Sequence, residues 1–258
     1  MKPKLYIASC SFGKDSLATI LLALEHNEPI DRVLFSEVMF DSKANISGEN
    51  PTHIEWIYNH AIPFLESRGL QVDVVRADKD YKDEFFVIRQ RGKSKGKYAG
   101  FPMGGACVIN LELKVAPIRS YLKILKEEYD IIQYIGIAKD EPKRLERLHS
   151  SKEKKVSLLE KYDYTESMAY ELCKQNDLLS PIYQSASRGG CWFCPNANTK
   201  SYVMFRKQFP HIWNQLKELS KIQNLSGKFK YKESFTDVEK KMNDLEYYMD
   251  NQLSLFPI

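Results

Sequence analysis

An α/β fold, with a mainly parallel sheet covered by helices, is what this sequence predicts, on three observations. Short, strongly apolar runs recur and alternate with segments of helical periodicity. Those runs are too uniformly apolar for a sheet with one wet face, and suit parallel strands buried on both sides. The chain has 258 residues, 43% hydrophobic and 28% charged, enough for one large domain of this kind with an appendage.

The elements follow in order. Leu5 to Ser9 reads as an opening strand, and Ser16 to Glu25 as a helix with Leu17, Ile20, Leu21 and Leu24 on one face. Arg32 to Glu37 is a second strand, Ile54 to Arg68 a helix, and Gln71 to Arg76 a third strand. A long helix is expected over Leu111 to Glu128, then a strand over Ile131 to Ile137. Residues 139–157, crowded with Lys, Arg and Glu, read as a surface insertion. A short helix runs from the N-cap Thr165 to Gln175, and a loop rich in Gly, Ser and Cys covers 180–198. Tyr202 to Lys221 is helical, and a last helix is entered through the capping box Thr236-x-x-Glu239. The expected organisation is a core domain over 1–198, a helical extension over 199–250 and a flexible tail over 251–258.

No apolar run approaches the ~20 residues of a membrane span, and the first apolar run breaks at Ser9, so no signal peptide is expected. Five cysteines without an export signal argue against a disulfide framework and for the cytoplasm. The net charge of +4 is mild, but Arg89 to Lys97 puts five cations into nine residues, with Gly92, Gly96 and Gly100 nearby. That stretch reads as a mobile basic loop, either simply solvated or a lid over phosphates or a nucleic-acid backbone.

Chemistry concentrates first in Ser9-Cys10-Ser11-Phe12-Gly13-Lys14-Asp15-Ser16. A turn at Gly13 between strand and helix leaves backbone N–H groups unpaired and aimed at one spot, which favours an anion. Ser11 and Ser16 add hydroxyl donors and Lys14 a positive charge. A P-loop would need a second Gly with four residues between it and Gly13, and a hydroxyl directly after the Lys, where this chain has Asp15. Beside phosphates, that carboxylate belongs only if it holds Mg²⁺ or orients its neighbours.

The run Ser11 to Ser16 resembles the PP-loop, Ser-x-Gly-x-Asp-Ser, of the adenine nucleotide alpha hydrolase superfamily, and Phe12 stands where the commoner version has a first Gly. Three further segments resemble the phosphoadenosine phosphosulfate (PAPS) reductase-like family in the right order: Cys107 to Leu122, Gly136 to Leu148, and Leu179 to Pro195. The resemblance implies a Rossmann-like fold, ATP with Mg²⁺, attack at the α-phosphate and release of pyrophosphate. It implies nucleotide contacts from Ser9, Ser11, Phe12, Gly13, Lys14, Asp15, Ser16, Gly136, Asp140 and Glu141, with Lys14, Asp15 and Arg144 catalytic.

Cys191 and Cys194 form C-x-x-C in a glycine-rich loop, open to a redox dithiol, a zinc site or an iron–sulfur site. The family resemblance implies the last, a [4Fe–4S] cluster held by Cys107, Cys191 and Cys194, with zinc the alternative. Ala106 precedes Cys107, so one member of the family's Cys-Cys pair is missing and one iron would stay open. Cys173 is a possible fourth ligand, though it and Cys10 read better as buried packing. No cysteine follows Cys194, so the family's C-terminal nucleophile is absent and sulfate reduction by this chain alone is not expected.

Gln252-Leu253-Ser254-Leu255-Phe256 resembles the peptide that bacterial replication proteins insert into the sliding DNA clamp. The expected function is ATP-dependent adenylation of an acceptor with iron–sulfur-assisted sulfur transfer, on a nucleic acid at the sliding clamp. The alternatives are a sulfonucleotide reductase that uses an external thiol, and a non-catalytic clamp-binding adaptor.

Overall fold

The computed structural model describes residues 2–102, 107–184 and 189–254, with 252–254 in backbone only. β1 (Lys4–Cys10) turns into α1 (Lys14–Glu25) and returns as β2 (Arg32–Ser36). A small antiparallel pair, β3 (Met39–Asp41) and β4 (Ile46–Ser47), precedes α2 (Pro51–Trp56), a π-helical turn (Ile57–Ala61) and α3 (Ile62–Glu66). β5 (Gln71–Val75), α4 (Tyr81–Phe85), a second π-helical turn (Ile109–Val115), α5 (Ala116–Leu125) and β6 (Asp130–Ile135) come next. After them come α6 (Pro142–His149), β7 (Lys155–Val156), α7 (Leu158–Lys161), α8 (Glu166–Gln175), α9 (Thr199–Gln208), α10 (Pro210–Ser220) and α11 (Phe235–Ser254).

These elements gather into two compact units whose segments alternate along the chain. One comprises Met1–Glu37, Asn50–Ala77 and Lys114–Gly189; the other comprises Val38–Glu49, Asp78–Leu113 and Gly190–Ile258. No single boundary near residue 198 separates them.

The first unit is the α/β fold that the sequence predicts. Its sheet runs β5-β2-β1-β6-β7 with every pairing parallel. One face buries α1 and α8 with Phe12, Phe35 and Leu178; the other packs Ile7, Leu34 and Ile131 under Leu122 of α5. α1 is buried from Ser16 to Ala23, which explains why its sequence is apolar almost all round. Strand order reverses between β1 and β6, and in such sheets a crevice opens at the carboxyl ends of the strands there.

Several local expectations change. The charged stretch 139–157 is not an insertion: it contains α6 and the edge strand β7, paired through Gln133 with Lys155 and Tyr134 with Val156. α6 buries only Leu145 and Leu148, so its apolar stripe is hidden among charges. The expected helices over Ile54 to Arg68 and Leu111 to Glu128 each contain a π-helical turn that ends two residues before a proline, Pro63 or Pro117. Proline lacks an N–H and crowds the preceding turn, and the wider turn accommodates it. Pro210 likewise splits Tyr202 to Lys221 into α9 and α10, with Phe209 forced out of helical geometry. α11 starts one residue before Thr236; its working capping box is Ser234 with Asp237, each side chain accepting the other's N–H.

The second unit is built on aromatic rings: Phe40, Tyr81 and Phe193 meet near β3 and α4, and Trp213, Phe229 and Phe235 near α10 and α11. α11 continues through Ser254, so Gln252, Leu253 and Ser254 extend a helix rather than open a flexible tail; Leu255 and Phe256 lie outside the described residues. No helix among the described residues is long and apolar enough to cross a membrane.

Candidate functional site

The turn from β1 to α1 is held by its own side chains. The Ser16 hydroxyl donates to the Gly13 carbonyl (2.9 Å) and accepts the Ser11 N–H (3.2 Å). Cys10 Sγ accepts the Phe12 N–H (3.2 Å), and Tyr183 Oη accepts the Lys14 N–H (2.9 Å). Phe12 has φ +55°, a left-handed conformation that costs a side-chain-bearing residue about 1–2 kcal/mol. Its ring offsets that cost by full burial edge-on to Phe35, centroids 5.1 Å apart.

Gly13 N-caps α1 without a side-chain bond, and no described residue accepts from the N–H groups of Gly13, Asp15 or Ser16. Above them lies a cleft of about 240 Å³ lined by Ser9, Ser11, Gly13, Asp15 and Ser16 from the turn. Leu34 and Ser36 line it from β2, Lys114 and Ile118 from the α5 side, and Ile135, Gly136 and Arg144 from β6 and α6. Two cations, Lys114 and Arg144, face one carboxylate there, so the cleft adds positive charge to a helix N-terminus. Ser36 Oγ is buried and has no hydrogen-bond partner among the described residues.

Gly136 is indispensable to this geometry. A Cβ there would stand 2.7 Å from Asp15 C and Ser16 N, both backbone atoms.

The structure redistributes the roles expected from the sequence. Ser9, Ser11, Gly13, Asp15, Ser16, Gly136 and Arg144 do line one cleft. Ser16 contributes its N–H only, because its hydroxyl proton is committed to Gly13. Phe12 faces the core, with its N–H committed to Cys10. Lys14 does not line the cleft: its ammonium bonds Asp15 (2.8 Å) and Glu166 (3.1 Å). Burial opposes the Lys14 charge, but those two carboxylates prevail and raise its pKa. Burial raises the Asp15 pKa, against the pull of Lys14. Asp140 accepts the Glu166 N–H at the start of α8, and Glu141 grips Arg144 with both carboxylate oxygens. Glu141 therefore positions Arg144, and Asp140 supports the helix that carries Glu166.

Lys114, Ser36, Tyr183 and Glu166 were not selected by sequence reasoning. Lys114 sits within the Cys107 to Leu122 segment and Tyr183 within the Leu179 to Pro195 segment that resemble the family; Ser36 and Glu166 carried no signal before the fold joined them.

The C-x-x-C turn belongs to the second unit. Cys194 N–H donates to the Cys191 carbonyl (3.0 Å), and the two residues between them are buried. Trp192 donates its indole N–H to Ser47 O and its backbone N–H to Gly48 O, and stacks on Phe205. Phe193 packs on Tyr81 with centroids 4.3 Å apart. Both residues anchor the turn and leave the two thiols half-exposed, and none of the cysteines forms a disulfide. Among the described residues no three His, Cys, Asp or Glu side chains converge on one ion position, and 103–106, beside Cys107, lie outside the described residues.

Cys107, Cys191 and Cys194 would offer thiols alone, donors of the kind that suit soft metals and clusters. A buried hydroxyl adds to that fit: Tyr81 Oη has no hydrogen-bond partner among the described residues. Burial, then the Tyr202 phenol and the thiols of Cys107 and Cys191, hold the Tyr81 pKa well above its usual value, leaving a neutral donor beside those sulfurs. Cys10 and Cys173 differ in kind. Burial pushes their pKa values up to about 11 and about 12, and Cys173 Sγ donates to the Lys14 carbonyl.

Compared with family models, with curated proteins and with solved structures, the chain matches none.

Two outcomes follow. Gly136→Ala forces backbone apart at the turn and should destabilise the protein by about 1–3 kcal/mol, measured by denaturant unfolding. Brief alkylation of the metal-free protein at pH 8 should label Cys107, Cys191 and Cys194 well before Cys10 and Cys173, read by mass spectrometry; equal labelling would refute the protonated, buried assignment.

Proposed function

We propose that this chain is an ATP-dependent adenylating enzyme of PP-loop type, acting on a nucleic acid and coupled to sulfur transfer. The observation that supports it best is the uncapped N-terminus of α1, with unpaired N–H groups under a cleft shared by Ser11, Lys114 and Arg144. Such an array suits a polyphosphate whose charge grows on the leaving side during reaction.

In this reading an acceptor oxygen attacks the α-phosphorus of ATP. The bond to the bridging oxygen breaks, and its electron pair leaves with pyrophosphate. The N–H groups of Gly13, Asp15 and Ser16 hold phosphate oxygens, while Arg144, steadied by Glu141, and Lys114 neutralise the leaving charge. Asp15 would hold Mg²⁺, with Lys14 fixing Asp15 through their ion pair. Cys107, Cys191 and Cys194 would hold an iron–sulfur cluster, which supplies a sulfur equivalent to displace AMP when bound. The link to a sliding clamp rests on the resemblance of Gln252 to Phe256 alone.

Anaerobically purified protein should contain iron and release pyrophosphate from ATP when a nucleic-acid acceptor is present. Arg144→Ala should slow that release by about 10²-fold with a smaller change in ATP binding. ATP binding without pyrophosphate from any DNA or RNA would sink the adenylation reading, and sulfite from adenylyl sulfates with an added thiol would replace it with a reductase. Tyr81→Phe separates the cysteine site from the nucleotide site. In metal-free protein the melting temperature should hold or rise, because an unsatisfied hydroxyl is removed. In iron-loaded protein it should fall by roughly 2–4 °C; equal shifts in both forms would count against a sulfur ligand beside Tyr81.

A further inference from the structure

The stretch from Arg89 to Lys97, expected to be a mobile basic loop, belongs to a built hairpin that runs from Phe85 to Gly100. Ile88 pairs with Tyr98, Ala99 N–H donates to Val87 O, and Gly100 N–H donates to Phe85 O. At the tip, Lys97 N–H donates to Ser94 O across Lys95 and Gly96, with Gly96 at φ +80°, the geometry of a type II turn. Gly96 N–H donates to Arg89 O while Arg89 N–H donates to Lys97 O, a glycine bulge that sets two residues against one. A second segment is stitched alongside: Tyr98 N–H donates to Asn224 O (3.1 Å), and Ser226 N–H donates to Tyr98 O (2.9 Å).

Residues 85–100 and 221–232 contain nine Lys and Arg and no Asp or Glu. Arg89, Arg91, Lys93, Lys95 and Lys97 are all exposed, and none pairs with a carboxylate among the described residues. Lys228 and Lys232 are exposed beside them, whereas Lys221 pairs with Glu218 and Lys230 donates to Ala197 O. Two rings stand in this field: Phe86, 40% exposed, and Tyr231, 75% exposed, with the Lys232 ammonium 5.9 Å from the Tyr231 centroid. The lysine-lined hollow of the first unit is different, since Lys126 and Lys154 there pair with Glu153 and Asp130.

We infer that the hairpin from Phe85 to Gly100, together with 221–232, is a nucleic-acid-binding surface, its cations on the phosphates and Tyr231 and Phe86 against bases. Unpaired cations set opposite one another, as Arg89 and Lys97 are across the bulge, repel until a polyanion neutralises them. Sequence-tolerant strand binding uses this combination of cations and exposed rings. A membrane-inserting loop would carry its apolar residues at the tip; here Arg91 to Lys95 form the tip, and Phe86, Val87 and Ile88 lie at the root. The inference deepens the proposal of a nucleic-acid acceptor and rests on it, but binding is read apart from turnover.

The test is anisotropy of a fluorescein-labelled oligothymidine and of a labelled duplex over a salt series. The triple variant Arg91→Gln, Lys93→Gln, Lys95→Gln removes three exposed charges, and its ATP affinity and melting temperature serve as controls. With those controls unchanged, affinity should fall at least about tenfold, and the slope of log K against log salt for the single strand should shrink by about 2. Tyr231→Ala should weaken single-strand binding about tenfold with the slope retained. Unchanged affinity and slope in the triple variant would overturn the surface. Wild-type protein that binds ATP but neither oligonucleotide would overturn it together with the nucleic-acid acceptor, leaving the nucleotide site standing. Tighter, triple-sensitive binding to phosphatidylserine vesicles than to either oligonucleotide would also overturn it. Oligonucleotide binding that the triple variant loses, without any pyrophosphate release by the wild type, would uphold the surface while the adenylation reading fell.

Discussion

At the carboxyl end of β6, the backbone of Gly136 lies so close to Asp15 and Ser16 that no side chain fits between them, and the candidate nucleotide site depends on that contact. It brings the turns after β1 and β6 together at the point where strand order reverses. One consequence is positional: the first turn of α1 is exposed to a cleft yet pinned from behind. Another is energetic. With its position fixed, the β1–α1 turn can carry a left-handed Phe12, whose ring is buried against Phe35 in compensation.

Within that frame the polar groups divide between holding and presenting. Ser16, Cys10 and Tyr183 hold the loop by bonding its own backbone, and each bond removes a group that would otherwise be open to a ligand. The N–H groups of Gly13, Asp15 and Ser16 remain, as helix geometry requires of a first turn. Lys14 belongs with the holding groups. Its ammonium is tied between Asp15 and Glu166, so the cations that face the cleft come from the α5 and α6 sides, as Lys114 and Arg144.

The strands, the strand–turn–helix and most of the cleft residues were legible in the sequence because they are local: apolar runs, a glycine turn, a serine and an aspartate at fixed spacing. What was not legible is direction and partnership. A motif names Phe12, Lys14 and Ser16 without saying which way each points, and φ +55° at Phe12 is a property of the packed loop. Glu166 is far from Lys14 in sequence, so their ion pair carries no local signal. α6 and β7 were missed for a compositional reason: two buried leucines and a two-residue edge strand do not stand out among so many charges.

The second unit applies the same division to sulfur. Trp192 and Phe193 look like spacers between two cysteines, yet their rings are the foundations of the turn, and Gly48 is held to a hydrogen because Val38 O and the Phe193 ring approach it. Support of this kind fixes the backbone of the turn from both residues between the cysteines. Tyr81 adds the polar half of the setting. A buried hydroxyl with no partner costs about 1–3 kcal/mol; Tyr81 has none among the described residues, and the thiols of Cys107 and Cys191 are near enough to act on its charge. The basic hairpin of this unit is uncompensated in the same sense. Its backbone is held by pairs at Arg89 and from Lys95 to Gly100, while its five cations have no carboxylate partner among the described residues, so in both places the group that would complete the setting is an electron-rich one.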